Sequence, residues 1–153
     1  MDKIDRDNLE STITLGLLYK DIVKMLALEN GVLVSIWCLD SYDKLRRYGI
    51  CINGCVDGFA RKVMWMNAYH SASDPMLIGG YYLEVVESLG GCPMLVRGDA
   101  GTENAHVRDI QRFLRMDHDD SMAGDISFIE GASTGNQRTE YWWVFLRREC
   151  TDH

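Results

Sequence analysis

The chain has 153 residues and a formal charge of −7, the size of one ordinary domain with enough apolar content to bury a sizeable core. The acidic total excludes a broad electrostatic grip on nucleic acid, although Lys44, Arg46 and Arg47 form a local basic cluster. No apolar run is long enough to span a bilayer, and the opening MDKIDRDNLE is too charged for the apolar core of a secretory signal, so an intracellular protein with no membrane partner is expected, the nucleus being one compartment that fits.

Residues 1–31 read as two short helices, one through Leu9, Ile13 and Leu17 and one through Ile22, Met25 and Leu26, ended by Glu29-Asn30-Gly31. They resemble the opening of a helix-turn-helix, but Val32 runs directly into a strand where the recognition helix would stand. From Val32 to Leu39 the run is continuously apolar and ends at Asp40, the pattern of a buried central strand with a carboxylate at its tip. Gly49–Val56 and Phe59–Met66 are two β-rich runs around Asp57-Gly58, a strong hairpin signal in which Asp57 is a turn residue rather than a ligand.

Asp74-Pro75 opens a helix that continues through Leu77, Ile78, Tyr81, Tyr82, Val85 and Val86 to Leu89, where Gly90-Gly91 stop it. Gly79 and Gly80 inside it would each cost roughly 1 kcal/mol relative to Ala, so packing must hold the helix. The short run Met94-Leu95-Val96 then leads to Asp99, with Thr102 or Asn104 expected to cap a helix from about Glu103 to Leu114. Arg115–Asp125 loses all pattern and reads as a mobile loop, without the ordered ligands of an EF-hand. Ile126, Phe128 and Ile129 form a last short strand, and Ser133-Thr134 cap a helix over Asn136–Cys150. His70 and His118 fall in polar stretches and read as solvated; of the adjacent Trp142 and Trp143, one is expected in the core. The five cysteines are odd in number and mostly within apolar runs, which favours buried thiols over a disulfide framework.

Asp40 and Asp99 at strand ends and Glu140 on the first turns of a helix are three carboxylates that a sheet-and-helix domain can gather. Such a cluster suits two divalent ions, and hard oxygen donors with open positions select Mg²⁺ or Mn²⁺.

These residues carry a resemblance. The segments WCLDSYDKL, CINGCVDGFARKVMW, VRGDAGTENAHVRDIQRFLR and STGNQRTEYWWVFLR are similar to the catalytic core of the retroviral-type integrase and transposase superfamily, of the transposon-derived kind found in animal genomes. Fifty-eight residues lie between Asp40 and Asp99 and forty between Asp99 and Glu140, which suits that superfamily's Asp, Asp, Glu pattern. The resemblance implies an α/β, RNase H-like core over 32–153, with a mixed β-sheet flanked by helices and preceded by a short helical segment. It implies that Asp40, Asp99 and Glu140 are catalytic and bind Mg²⁺ or Mn²⁺, that Asn136, Gln137 and Arg138 face DNA, and that the reaction is polynucleotidyl transfer by a two-metal mechanism; Lys44, a local basic group near these carboxylates, is expected to contact DNA as well. GLLYKDIVKMLALENGVLVS resembles the first helices of the module that precedes such cores. Relative to the family, both flanks read as truncated, and Cys38 stands where the family usually has His. The alternative is a domesticated or truncated remnant that binds nucleic acid or protein without catalysis. Apolar side chains from Trp142 to Leu146 are expected to promote self-association.

Overall fold

The structure, a computed structural model, describes residues 36–71, 74–131 and 137–151. The expected helices before Gly31, the cap at Ser133-Thr134 and the proposed DNA contact Asn136 lie outside the described residues. Five strands form one sheet: β1 (Ile36–Tyr42), β2 (Cys51–Asp57), β3 (Val63–Tyr69), β4 (Leu95–Gly98) and β5 (Phe128–Glu130). Their order is β3-β2-β1-β4-β5. The first three run antiparallel in sequence, while β4 and β5 join parallel, β4 beside β1. Helices α1 (Pro75–Leu89), α2 (Ala105–Leu114) and α3 (Gln137–Leu146) flank the sheet. This is the mixed α/β, RNase H-like arrangement expected from the sequence.

Alternation along β1 divides the sheet into two faces. Trp37 and Leu39 point to the face covered by α1 and α2, where they pack with Cys55, Trp65, Val96, Phe128, Ile78, Tyr82 and Val107. The Tyr82 hydroxyl donates to Gln111 Oε1 within that core, and Gln111 in turn donates to Pro93 O at 2.9 Å. Burial of Tyr82 and Gln111 is tolerated because their polar groups find partners, whereas the Trp37 indole N–H in the same core has none among the described residues. Asp40 and Tyr42 point to the other face, where Trp143 of α3 meets them.

Local chemistry sets the ends of the elements. Asp74 accepts from Met76 N at 2.9 Å with Pro75 in the first turn, and Gly90 closes α1 in the left-handed region at φ 67°. Gly79 permits a close crossing: a Cβ there would sit 3.1 Å from His106 Cβ on α2, whereas one at Gly80 would meet nothing.

Several expectations need correction. Asp40 lies within β1 rather than at its tip, because pairing with β2 continues to Tyr42. The hairpin turn is longer than Asp57-Gly58 implies: the Asp57 carboxylate accepts from Phe59 N and Ala60 N, both at 2.8 Å, and β3 begins only at Val63. That geometry makes Asp57 the turn residue expected of it. Thr102–Asn104 is a 3₁₀ turn in which neither Thr102 nor Asn104 caps α2 with its side chain. Ile126 is exposed in another 3₁₀ turn, Gly124–Ser127, outside β5. Beyond Leu146 the last helix continues as a π-helical turn, Arg147–Thr151.

The Arg115–Asp125 segment, read as mobile, is organised around one buried cation. Arg115 donates to Asp120 and contacts His118 Nδ1 at 2.8 Å, and Gly124 N donates to Arg115 O. His118 is therefore partnered rather than merely solvated. No disulfide occurs among the described residues, and Cys38, Cys51 and Cys55 are buried, Cys55 with its thiol pushed well up by desolvation.

Candidate active site

Register builds the site. Parallel pairing of β1 with β4 runs through Ile36 with Leu95, Trp37 with Val96 and Cys38 with Arg97. Two residues further along each chain stand Asp40 and Asp99, so adjacent strands deliver both carboxylates to one end of the sheet. Glu140 comes from the first turn of α3, which lies on β1 and β2.

Each oxygen of Asp40 has a donor. Ser41 N donates to Oδ1 at 3.0 Å and Trp143 Nε1 donates to Oδ2 at 2.8 Å. Burial raises the Asp40 carboxyl above its ordinary value; the two donors pull it back, while the negative charges of Asp99 and Glu140 push it up again. Asp40 therefore feels the charge of both other expected carboxylates.

Asp99 Oδ1 accepts from Asn104 Nδ2 at 2.7 Å and from Gly101 N at 3.3 Å. Glu103 folds back over Gly101, where any Cβ would collide with its carboxylate. Burial raises Glu103 as well, with Asp99, Asp43 and Asp40 adding repulsion. Acidic charge is thus concentrated beyond the three residues singled out by sequence.

A cavity of about 540 Å³ opens beside Glu140, lined by Ser41, Tyr42, Asp43, Lys44, Trp143 and Arg147 among others. Lys44 and Arg147 bring two cations to this cavity. Gln137 and Arg138 occupy the first turn of α3. Among the described residues, no group of three or more His, Cys, Asp or Glu side chains is gathered closely enough to hold a metal ion by itself.

Sequence reasoning did not find Trp143, Asn104, Glu103 or Arg147 as members of the site. For Asn104 a signal existed: an Asn five residues after an Asp in a Gly-containing turn is within reach of it. The Trp143 to Asp40 contact spans 103 positions and has no local signature.

The comparison with known families matches residues 31–153 to the family described as integrase core domain. No curated protein matches the chain. That family match covers most of the chain and contains every strand, helix and carboxylate of the site just described. By that match, the chain belongs to the integrase core domain family, whose members generally bind DNA and use divalent metals.

Proposed function

We propose that this core cleaves or joins DNA phosphodiesters by metal-dependent polynucleotidyl transfer, with Asp40, Asp99 and Glu140 as the metal-binding carboxylates. The observation that supports the reading is the β1–β4 register, which carries Asp40 and Asp99 toward the same end of adjacent strands, with Asp99 and Glu140 both within electrostatic reach of Asp40. The donor set fits Mg²⁺ or Mn²⁺: hard carboxylate oxygens repel one another, and a cation would relieve that repulsion. A gathered three-residue group is not required, since Mg²⁺ is commonly held by one or two carboxylates, with water and substrate phosphates filling the other positions. When bound, two such ions would activate the attacking oxygen and stabilise the leaving one.

The chain's own residues supply position and charge. Trp143 and Ser41 hold the Asp40 carboxylate, and Asn104 and Gly101 hold Asp99. Lys44 and Arg147, lining the cavity beside Glu140, offer phosphate contacts; Gln137 and Arg138, in the first turn of α3, belong to the same proposed DNA-facing set. If Lys44, Arg46, Arg47 and Arg147 each neutralise one phosphate, DNA affinity falls with a log–log salt slope on the order of −3 to −4. Weak, salt-sensitive binding and slow nicking are expected on so acidic a protein.

Incubation of the chain with supercoiled and with 3′-hydroxyl-ended DNA, in Mg²⁺ and in Mn²⁺, tests this. Nicking or joining that disappears in Asp99→Asn and in Glu140→Gln supports the reading. Activity that survives both substitutions contradicts it.

A second reading, a binding module without turnover, is favoured by the lack, among the described residues, of any group of three His, Cys, Asp or Glu side chains able to hold a metal ion. It predicts DNA binding unchanged by Asp99→Asn and no cleavage under any metal. Exposed Tyr141, Val144 and Phe145 on α3 offer an apolar surface for self-association with a second copy. Light scattering tests that surface: a monomer at all concentrations, or a dimer unaffected by Phe145→Asp, would remove it.

A further inference from the structure

We propose that Trp143 is the positioning residue of the site, a latch that fixes Asp40 and Glu140 together, and that Gly54 is the slot in which it lies. The inference rests on the reading of Asp40 and Glu140 as metal-binding carboxylates.

Four observations meet at this indole. Trp143 is buried, and its Nε1 donates to Asp40 Oδ2 at 2.8 Å. Gly54 faces Asp40 directly across the β1–β2 ladder. A Cβ at Gly54 would stand 2.9 Å from Trp143 Cη2 and 3.4 Å from Cζ2, closer than packed carbons sit. The Tyr42 ring, two residues beyond Asp40 on the same face, lies 5.4 Å from the indole.

Glycine in the middle of a strand weakens it and marks a place where another group approaches closely. Here the approaching group is the indole, which crosses β2 at the one position without a side chain and so reaches the carboxylate on β1. With Ser41 N on Oδ1 and Trp143 Nε1 on Oδ2, neither oxygen of Asp40 can swing, yet each retains acceptor capacity for a cation. A hydrogen bond to a charged acceptor is among the stronger ones, and its aim is directional.

The same contact acts on the helix. Glu140 lies three residues before Trp143, so both project from one side of α3. Seating the indole on Asp40 sets the height and rotation of α3 over the sheet, and hence where Glu140 stands. One N–H therefore governs two of the three carboxylates, which come from segments far apart in the chain. Groups that orient metal-binding side chains typically change affinity 10- to 100-fold when removed.

The test uses the full chain and MnCl₂ as the probe. Trp143→Phe keeps an aromatic ring and removes the N–H; Gly54→Ala keeps the indole and fills its slot. Tyr82→Phe, which loses a buried hydrogen bond on the opposite face of the sheet, is the packing control. Calorimetry should show Mn²⁺ bound about tenfold more weakly by Trp143→Phe and Gly54→Ala, and as in the wild type by Tyr82→Phe. In ¹⁵N spectra the Trp143 indole signal, identified by its loss in Trp143→Phe, should move in Asp40→Asn and in Gly54→Ala. If Trp143→Phe gives no cooperative melt, Gly54→Ala decides by the same two readouts. Wild-type affinity in both latch variants, while Asp40→Asn abolishes binding, would overturn the latch and leave the proposed function standing. Equal weakening by Tyr82→Phe would reduce the effect to general packing and also overturn it. Wild-type Mn²⁺ binding that survives Asp40→Asn would overturn the proposed function and the latch with it.

Discussion

The side-chain amide of Asn104 donates to Asp99 Oδ1 at 2.7 Å, so the residue that leads into α2 orients the carboxylate that follows β4. Asn104 is buried, and its own Oδ1 has no partner. An acceptor is left unsatisfied while the donor serves Asp99, which implies that the amide's orientation is dictated by the carboxylate.

Asn104→Ala should therefore lose a hydrogen bond to a charged group, a loss of roughly 1.5–3 kcal/mol, offset in part by removal of the orphaned oxygen. A net destabilisation of about 1 kcal/mol in urea denaturation is expected. Weaker Mn²⁺ binding should accompany it, since Asp99 would be free to turn. A variant as stable as the wild type that binds Mn²⁺ equally well would show that the contact positions nothing.

Glu103 carries the pH dependence that can be tested apart from the three catalytic candidates. Burial raises its carboxyl, and Asp99, Asp43 and Asp40 add to the rise, so the folded state holds this proton more tightly than the unfolded chain. Its contribution to stability is present below the ordinary carboxylate value and is lost as pH rises through the elevated folded value. Without added metal, Glu103→Gln should be more stable than the wild type at pH 7, with the difference shrinking as pH falls from the elevated folded value to the ordinary carboxylate value. Paired denaturation curves across that interval check it, and a less stable Glu103→Gln at pH 7 would contradict the assignment.

The adjacent glycines of α1 should respond in opposite ways to the same change. Gly80 is exposed and a Cβ there meets nothing, so Gly80→Ala should stabilise the protein by about 0.5–1 kcal/mol through helix propensity and a less flexible unfolded chain. At Gly79 a Cβ stands 3.1 Å from His106 Cβ, and the crossing with α2 must open to admit it. Gly79→Ala should lose that gain and become destabilising. Thermal melts of the two variants side by side decide, and equal gains would show that the crossing is not tight.

Much of this arrangement was legible because its signals are local. The apolar runs before Asp40 and Asp99, the Asp74-Pro75 start and the Gly90 stop each reflect a preference set within a few residues, and the strand order follows from the sequence of elements. What was not legible depends on competition between near and distant partners. Asn104 has the side chain of a cap, yet Asp99 offers its amide a charged acceptor and wins it. Asp57 has the side chain of a tight turn, but by accepting two backbone N–H groups it extends the turn and delays β3 to Val63. Arg115 looked like the start of a polar loop, whereas its guanidinium is buried and gathers Asp120 and His118 around it. In the proposed site, the three carboxylates were singled out by type, placement and resemblance. The indole that aims one of them was not, because Gly54 and Trp143 acquire meaning only when β2 and α3 are laid together.

The central claim is that Asp40, Asp99 and Glu140 together form a site for divalent cations, and thermal melting with and without Mn²⁺ tests it most directly. A ligand that binds only the folded state adds about 2.7 kcal/mol at a concentration one hundred times its dissociation constant. For a chain of this size that corresponds to a rise in melting midpoint of roughly 5–10 °C. The account predicts such a rise for the wild type at millimolar Mn²⁺ and its loss in Asp99→Asn; an unchanged wild-type midpoint, or an equal rise in Asp99→Asn, would contradict it.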